Sequence, residues 1–337
     1  MNVWIQDLSP FTLSRLSRRR LVALSMLSAA SAGTCSKAIH ANEAAPAATA
    51  QMVSETPQDQ RYCLNTSTIN GSVIPVRDQL KIASEAGYHA VELWLRDVEK
   101  FVQEGGQLSD LRTELADLGL GLDSAIAFGA WIADDPDARQ SGLEQCRRDM
   151  DVIQQLGGAR IAAPPAGATN PPKLDLWQAA ARYRELLELG RQFEVVPQLE
   201  VWGFSHNLST LAEALYVAAA AEHPDACLLL DIYHLYKGGS DFCNMGLVPG
   251  SQMWCLHMND YPAVPDRQTI SDKDRVYPGD GIAPITQILR AFRRSGFRGT
   301  LSLELFNRDY WQQPPENVAK IGLEKMKQVV ELSYVAE

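Results

Sequence analysis

Short apolar runs alternate with longer amphipathic stretches along most of the chain. The runs at 62–66, 89–94, 120–126, 159–163, 195–201, 226–231, 253–258 and 300–305 are β-branched or leucine-rich and nearly continuous in hydrophobicity, as strands buried on both faces are. Between them, helical spacing covers 76–86, 108–118, 136–156, 175–193, 208–221, 282–295 and 315–335, and a short irregular helix is expected over 240–247. Gly87, Gly119, the pair Gly157-Gly158 and Gly296 punctuate these helices as stops. Eight strand–helix units predict an α/β fold, a (β/α)8 TIM barrel, with an open doubly wound sheet as the alternative. No GxGxxG follows the first strand, which weakens a dinucleotide reading.

The first fifty residues do not share this pattern. Ser17-Arg18-Arg19-Arg20 precedes the short apolar run Leu21–Leu27 and then small residues, the layout of a signal peptide. The run is too short to span a bilayer. The paired arginines resemble a twin-arginine export signal, which implies the twin-arginine translocase as a partner, export in the folded state, and a periplasmic or secreted product. Cleavage after Ala32 or Ala41 fits, a lipoprotein reading of Cys35 fits poorly, and a basic leader without export is the bland alternative. The expected organisation is a signal peptide over 1–41, a flexible tether over 42–60 and one barrel over 61–337.

Residues 1–50 hold five Lys/Arg against two Asp/Glu, a net of +3, which leaves −13 for the rest of a chain whose total is −10. A body this acidic excludes nucleic acid and anionic membrane surfaces as partners, and no later segment is apolar enough for a span. Cys63, Cys227 and Cys255 sit in apolar runs and read as buried small hydrophobes, with no CxxC pair and no disulfide framework. Homo-oligomerisation stays open.

The chemistry of such a barrel sits at the C-terminal ends of its strands. Strands five to eight there present Glu200, Asp231, His257 and Glu304. Alone, a strand-end glutamate reads as a helix cap or ion-pair partner and a strand histidine as a satisfied core residue. Together on successive strands, three carboxylates and an imidazole would repel or stay unsatisfied without a cation. That oxygen-rich set with one nitrogen suits one divalent metal, Mn²⁺ first, with Mg²⁺, Co²⁺ or Zn²⁺ as alternatives. Glu92 and Trp94 end strand two, where lining the pocket and packing are equally open readings. Trp131, Trp202, Phe204 and Phe306 are candidates for an apolar wall, and Asn259 and Asp260 for partners of His257. Lys237 and Asp280 are weak candidates for substrate contact, and Tyr233 and Tyr236 read as packing.

Leu199-Glu200-x-x-Gly203, Leu230-Asp231-x-x-His234, His257-x-x-Asp260, Pro278-Gly279-Asp280-Gly281 and Leu303-Glu304 together resemble the xylose isomerase-like TIM-barrel superfamily, in particular its tagatose 3-epimerase and hydroxypyruvate isomerase members. The likeness runs over about 61–335 and is strongest from Leu199 to Glu304. It implies Glu200, Asp231, His257 and Glu304 as metal ligands, with Glu200 and Glu304 also carrying the proton. It implies His234 and Arg275 as substrate contacts. His206 stands where those epimerases often carry a substrate-binding glutamate, so the pocket departs from the relatives there, and helix capping is the plainer role for it.

The implied activity is isomerisation or epimerisation of a sugar, keto-sugar or hydroxy-keto acid through a metal-bound enediolate. Alternatives on the same metal site are a dehydratase or a 3-keto-glycoside-cleaving lyase. More distant ones are a nuclease of the endonuclease IV type, disfavoured by the acidic body and the missing early histidines, and a non-catalytic sugar-binding protein.

Overall fold

The computed structural model describes residues 56–70 and 74–335. The expected signal peptide, and the expected tether up to residue 55, lie outside the described residues. The strands are β1 (Tyr62–Asn65), β2 (Ala90–Trp94), β3 (Gly121–Ile126), β4 (Arg160–Ala163), β5 (Val196–Glu200), β6 (Leu228–Asp231), β7 (Met253–Met258) and β8 (Thr300–Leu303). The helices are α1 (Val76–Ala86), α2 (Leu95–Gln103), α3 (Leu108–Asp117), α4 (Pro136–Leu156), α5 (Leu176–Arg191), α6 (Leu211–Ala220), α7 (Ile232–Gly238), α8 (Ile285–Arg294) and α9 (Pro315–Tyr334).

All ladders are parallel, in the order β3-β2-β1-β8-β7-β6-β5-β4. The first strand pairs with the last, Leu64 opposite Leu303. That pairing belongs to a barrel and not to a doubly wound sheet. β3 and β4 lie side by side at the seam without a ladder, so the barrel is nearly closed. Near the seam, Gln198 Nε2 on β5 donates to Ser124 Oγ on β3 at 3.1 Å.

The outward faces of the strands pack with the helices into one extensive apolar core. A second, small apolar cluster of Trp94, Ile126, Ala162, Leu229 and Cys255, with Phe306 against it, lies inside the barrel. Buried polar residues share that interior, among them Asn65, Glu92, Ser124, Gln198, Asp231, His257 and Ser302. Helix starts follow the sequence: Asp135, Asp175 and Thr210 cap α4, α5 and α6 with their side chains. Gly87 ends α1 in the left-handed region, φ 92°, where a side chain would be strained. The described cysteines carry no disulfide, and all except Cys243 are buried. Among the described residues no helix is long and apolar enough to cross a membrane.

Three local departures from the expected pattern matter for the site. α2 begins at Leu95 directly after β2, with no turn signal between them. α7, Ile232–Gly238, follows β6 directly, with the Asp231 side chain as its N-cap and Gly239 as its C-cap, and the helix expected over 240–247 is reduced to a 3-10 segment, Phe242–Leu247. β8 stops at Leu303, which leaves Glu304 on the first residue beyond the strand.

The connection from β7 to α8 is long and is built around Asp260. Its buried carboxylate accepts the backbone N–H groups of Tyr261 (2.8 Å), Gly279 (3.0 Å), Gly281 (3.0 Å) and Ala283 (2.9 Å). Asp260 also exchanges backbone hydrogen bonds with Val276, next to Arg275. The carboxylate therefore folds the Pro278–Gly281 turn and fixes where Arg275 leaves the chain. Asp260→Ala would take the acceptor from the buried Tyr261 N–H and from the N–H groups of Gly279, Gly281 and Ala283, each worth about 1–3 kcal/mol where water cannot replace it. A loss of about 2 kcal/mol or more in urea unfolding is expected; a loss below about 0.5 kcal/mol would show that the turn holds without the carboxylate.

Candidate metal centre and active site

β5 ends in Glu200 and β6 in Asp231, His257 is the penultimate residue of β7, and Glu304 follows β8. Asn65 ends β1 and Glu92 lies within β2. These six side chains meet at one end of the barrel lumen, and His257 is the hub. Its ring is fully buried, with Nε2 3.0 Å from Glu92 Oε2. Glu92 also accepts hydrogen bonds from Ser302 Oγ and from Asn65 Nδ2. With Nε2 as the donor to Glu92, the free lone pair of a neutral His257 lies on Nδ1.

That Nδ1 makes no hydrogen bond although it is buried. It faces Glu304 Oε2 at 3.3 Å, Glu200 Oε1 at 3.8 Å and Asp231 Oδ2 at 3.8 Å. Asp231 Oδ1 accepts the His234 N–H at 2.6 Å, and Oδ2 accepts from Asn259 Nδ2 at 2.7 Å and Arg275 Nη1 at 2.9 Å. Glu304 accepts from Asn65 Nδ2 at 3.0 Å and Arg275 Nη1 at 2.8 Å. The Glu200 carboxylate accepts no hydrogen bond from a described residue.

Electrostatics separate the two glutamates. Burial pushes the Glu200 carboxyl up to about 8; His257 opposes this, and Glu304, Asp231 and Glu92 add to it. Burial also works on Glu304, but His257 and Arg275 outweigh it and hold that carboxyl below its ordinary range. Burial disfavours a charged His257, yet Glu304 and Glu92 overcome it and push the imidazole well above its usual value. Burial, aided by Arg275, lowers His234 to about 4 against the pull of Asp231, so its imidazole is neutral at neutral pH. Its Nε2 lies 3.0 Å from Arg275 Nη2, which can only donate, so Nε2 is the acceptor. Arg275 is itself completely buried, held by Asp231, Glu304 and Asp272 and lying 4.5 Å over the Tyr233 ring.

The residues fit a divalent cation. One atom from each of Asp231, His257 and Glu304 lies within 4.8 Å of the others, and Glu200 stands at the fourth side. An orphaned imidazole nitrogen facing three carboxylates is costly when empty and is satisfied by one ion of the oxygen-preferring class.

The centre forms the floor of a cleft of about 310 Å³. Glu200, Glu304, His234 and Arg275 reach its lining, as do Trp202, Asp272, Lys273 and Arg308. Trp94, Phe128, Phe204, Phe306 and Trp311 add aromatic wall.

The four expected ligands are thus brought together, and His234, Arg275 and Trp202 line the cleft. Glu92 does not; it lies beneath His257 and orients the ring. His206 is not brought to the cleft either. It is exposed, its N–H donates to Thr169 O at 2.8 Å and its carbonyl accepts from Lys173 Nζ at 2.8 Å, which ties it to the neighbouring loop. Nor does it cap a helix, since Thr210 caps α6.

The partner of His257 is Glu92 and not Asn259 or Asp260: Asn259 bonds Asp231, and Asp260 builds the turn after it. Trp131 is buried with its Nε1 on Pro164 O, so it packs and forms no wall. Lys237 bonds the carbonyls of Gln268 and Ile270, Asp280 pairs with Lys325, and Tyr236 stacks on Tyr261. Asn65, Ser302, Asp272 and Phe128 escape the sequence reading. Asn65 carries the same strand-end signal as the ligands, whereas nothing local marks the others.

The Glu200 shift has a sign that can be read. A carboxyl whose folded pKa lies above its unfolded value holds a proton in the folded state that the unfolded chain has already released, so stability falls as pH rises between the two values. In EDTA-treated protein, wild type should therefore lose stability relative to Glu200→Gln from about pH 5 to about pH 8, and Mn²⁺ should remove the difference in slope. Thermal melts of both proteins across that range are the check. Parallel curves for wild type and Glu200→Gln would contradict the shift.

Fold and site define a (β/α)8 barrel with a carboxylate–imidazole centre at the C-terminal face. The family described as "Xylose isomerase-like TIM barrel" matches residues 80–329, and the chain belongs to that family. It is 29% identical over 154 residues to an inosose isomerase of Halalkalibacterium halodurans, covering 45% of this chain and 54% of the relative. It is 24% identical over 255 residues to a 3-dehydroshikimate dehydratase of Pseudomonas putida, covering 74% of this chain but only 39% of the relative. The chain thus spans about half, or less, of the length of these curated relatives. Among solved structures, the IOLI protein with a bound zinc atom shares the fold at a TM-score of 0.75 and 20% identity, over 82% of this chain and 100% of that one.

Proposed function

We propose that the protein is a divalent-metal-dependent isomerase or epimerase of a small polyhydroxylated carbonyl compound, working by proton transfer between Glu200 and Glu304. The observation that carries this reading is the unpartnered Nδ1 of His257, facing three carboxylates on the floor of an open cleft. Asp231, His257, Glu200 and Glu304 would hold the ion, with Mn²⁺ the ion the donor set favours and Mg²⁺, Co²⁺ or Zn²⁺ the alternatives. When bound, such an ion polarises a substrate carbonyl and acidifies the neighbouring C–H.

The residues of the chain do the rest. Glu92 fixes the His257 tautomer from below. One of the two glutamates takes the proton on a carboxylate oxygen, and the other returns a proton to a different carbon or to the opposite face. Arg275 and neutral His234 sit at the edge of the floor, where they would steady negative charge that develops on a substrate oxygen. Glu200 takes no side-chain hydrogen bond from a described residue, whereas Glu304 is held by Asn65 and Arg275.

The likeness to a 3-dehydroshikimate dehydratase over 74% of the chain supports a second reading. There the same proton abstraction ends in loss of a β-hydroxyl or an aglycone. Incubation of the Mn²⁺-loaded protein with keto-sugars and keto-glycosides in D₂O, followed by NMR, separates the two. Deuterium incorporation beside the carbonyl with an intact product is expected for the isomerase; loss of water or aglycone would replace it with the lyase. Glu200→Gln and Glu304→Gln should each lower turnover by about 10²-fold or more with the fold unchanged by circular dichroism. Turnover that survives both changes, or that survives EDTA, would overturn the proposal.

A further inference from the structure

The aromatic wall of the cleft is continuous round its rim. From Phe306 it runs to Trp94 (6.0 Å between ring centroids), Phe128 (5.2 Å), Trp202 (5.8 Å) and Phe204 (5.2 Å), and it ends on the ring of His234 (5.6 Å). Each step is about the width of a pyranose, and sugars lay their apolar faces on such rings. Two of the rings remain open to solvent, Phe128 at 47% and Phe204 at 50% exposure. A contiguous apolar surface left in water in this way marks a binding surface.

Behind Phe128 lies a second cavity of about 310 Å³ that shares Trp94, Ile126 and Phe128 with the first. Its far wall is polar: Arg96, Glu99, Gln145 and Asp149. The Arg96 guanidinium lies 4.2 Å over the Trp94 ring, and Asp149 is 3% exposed, takes Gln145 Nε2 at 2.7 Å and leaves its other oxygen without a partner. Aromatic rings beside carboxylate, amide and guanidinium groups are the chemistry that binds hydroxylated rings, since each hydroxyl both donates and accepts.

We infer that the substrate is a glycoside of at least two rings, one of which bears the carbonyl: the carbonyl-bearing ring lies on the floor between Glu200 and Glu304, and the second ring passes over Phe128 into the pocket walled by Arg96, Glu99, Gln145 and Asp149. The reacting-ring half of this statement rests on the function proposed above, whereas the second-ring pocket does not. Phe128 is a specificity residue here. It touches the outer ring and no reacting atom.

Calorimetric titration of EDTA-treated full-length protein tests the pocket without any turnover. The probes are cellobiose, maltose, trehalose and sucrose against D-glucose and methyl α-D-glucoside. At least one disaccharide should bind about tenfold tighter than either single-ring probe. The exposed-site change Glu99→Ala should cut that advantage at least about threefold and leave glucose binding within about twofold, and Phe128→Ala should cut the advantage at least as far. Disaccharides that bind no tighter than single rings, or no measurable binding of either, overturn the inference, as does an advantage that survives both changes. A disaccharide preference without deuterium exchange would sink the isomerase reading alone, and exchange on single-ring keto-sugars without the preference would sink the pocket alone.

Discussion

The structure depends on one constraint: like charges are gathered where water cannot relieve them. Glu92, Glu200, Asp231 and Glu304 meet around His257 at one end of the barrel lumen, with Arg275 as the guanidinium among them. Carboxylates at this density are tolerated only if each is paired, protonated or bound to a cation. The chain meets the demand in part. Arg275 bridges Asp231 and Glu304, Asn65 and Asn259 donate to the same two groups, and Ser302 and Asn65 support Glu92. What stays unmet is His257 Nδ1 and the carboxylate of Glu200, and both border the place a divalent ion would take.

Much of the rest of the fold serves that centre. Arg275 is delivered by a long connection whose path is set by Asp260, a carboxylate that touches no ligand. Asp231 both caps α7 and faces His257 Nδ1, so the start of that helix and the position of this proposed ligand are fixed together. His234 follows one turn later and is held neutral against Arg275. Helix capping, loop closure and ligand placement are thus carried by the same few side chains, and changes far from the floor are expected to act through its geometry.

The barrel was legible in the sequence because its strands are buried on both faces, which makes each a short continuous apolar run. The four proposed ligands were legible for the complementary reason: a carboxylate or imidazole at the end of such a run breaks it visibly. α2 and α7 were not, since Leu95 and Ile232 continue directly from strands with no loop to announce a change of period. The link from Glu92 to His257 was hidden because the two are 165 residues apart and a single glutamate in a strand carries no mark of its partner. Asp260 was misread for the opposite reason. Its place three residues after His257 suggests a ligand's neighbour, but it lies beyond the end of β7 and its carboxylate is taken by the backbone N–H groups of the following turn. His206 shows the limit of carrying a family position across: its loop is tied to residues Thr169 and Lys173 and leaves the cleft.

The central claim is that these side chains form one divalent-metal centre with a single imidazole nitrogen in it. Pulsed electron paramagnetic resonance of Mn²⁺ titrated into EDTA-treated protein tests this most directly. The account predicts one tightly bound ion per chain with nitrogen modulation from one imidazole, and loss of that modulation in His257→Ala. Absence of tight Mn²⁺ binding, or a bound ion whose spectrum is unchanged by His257→Ala, would contradict it.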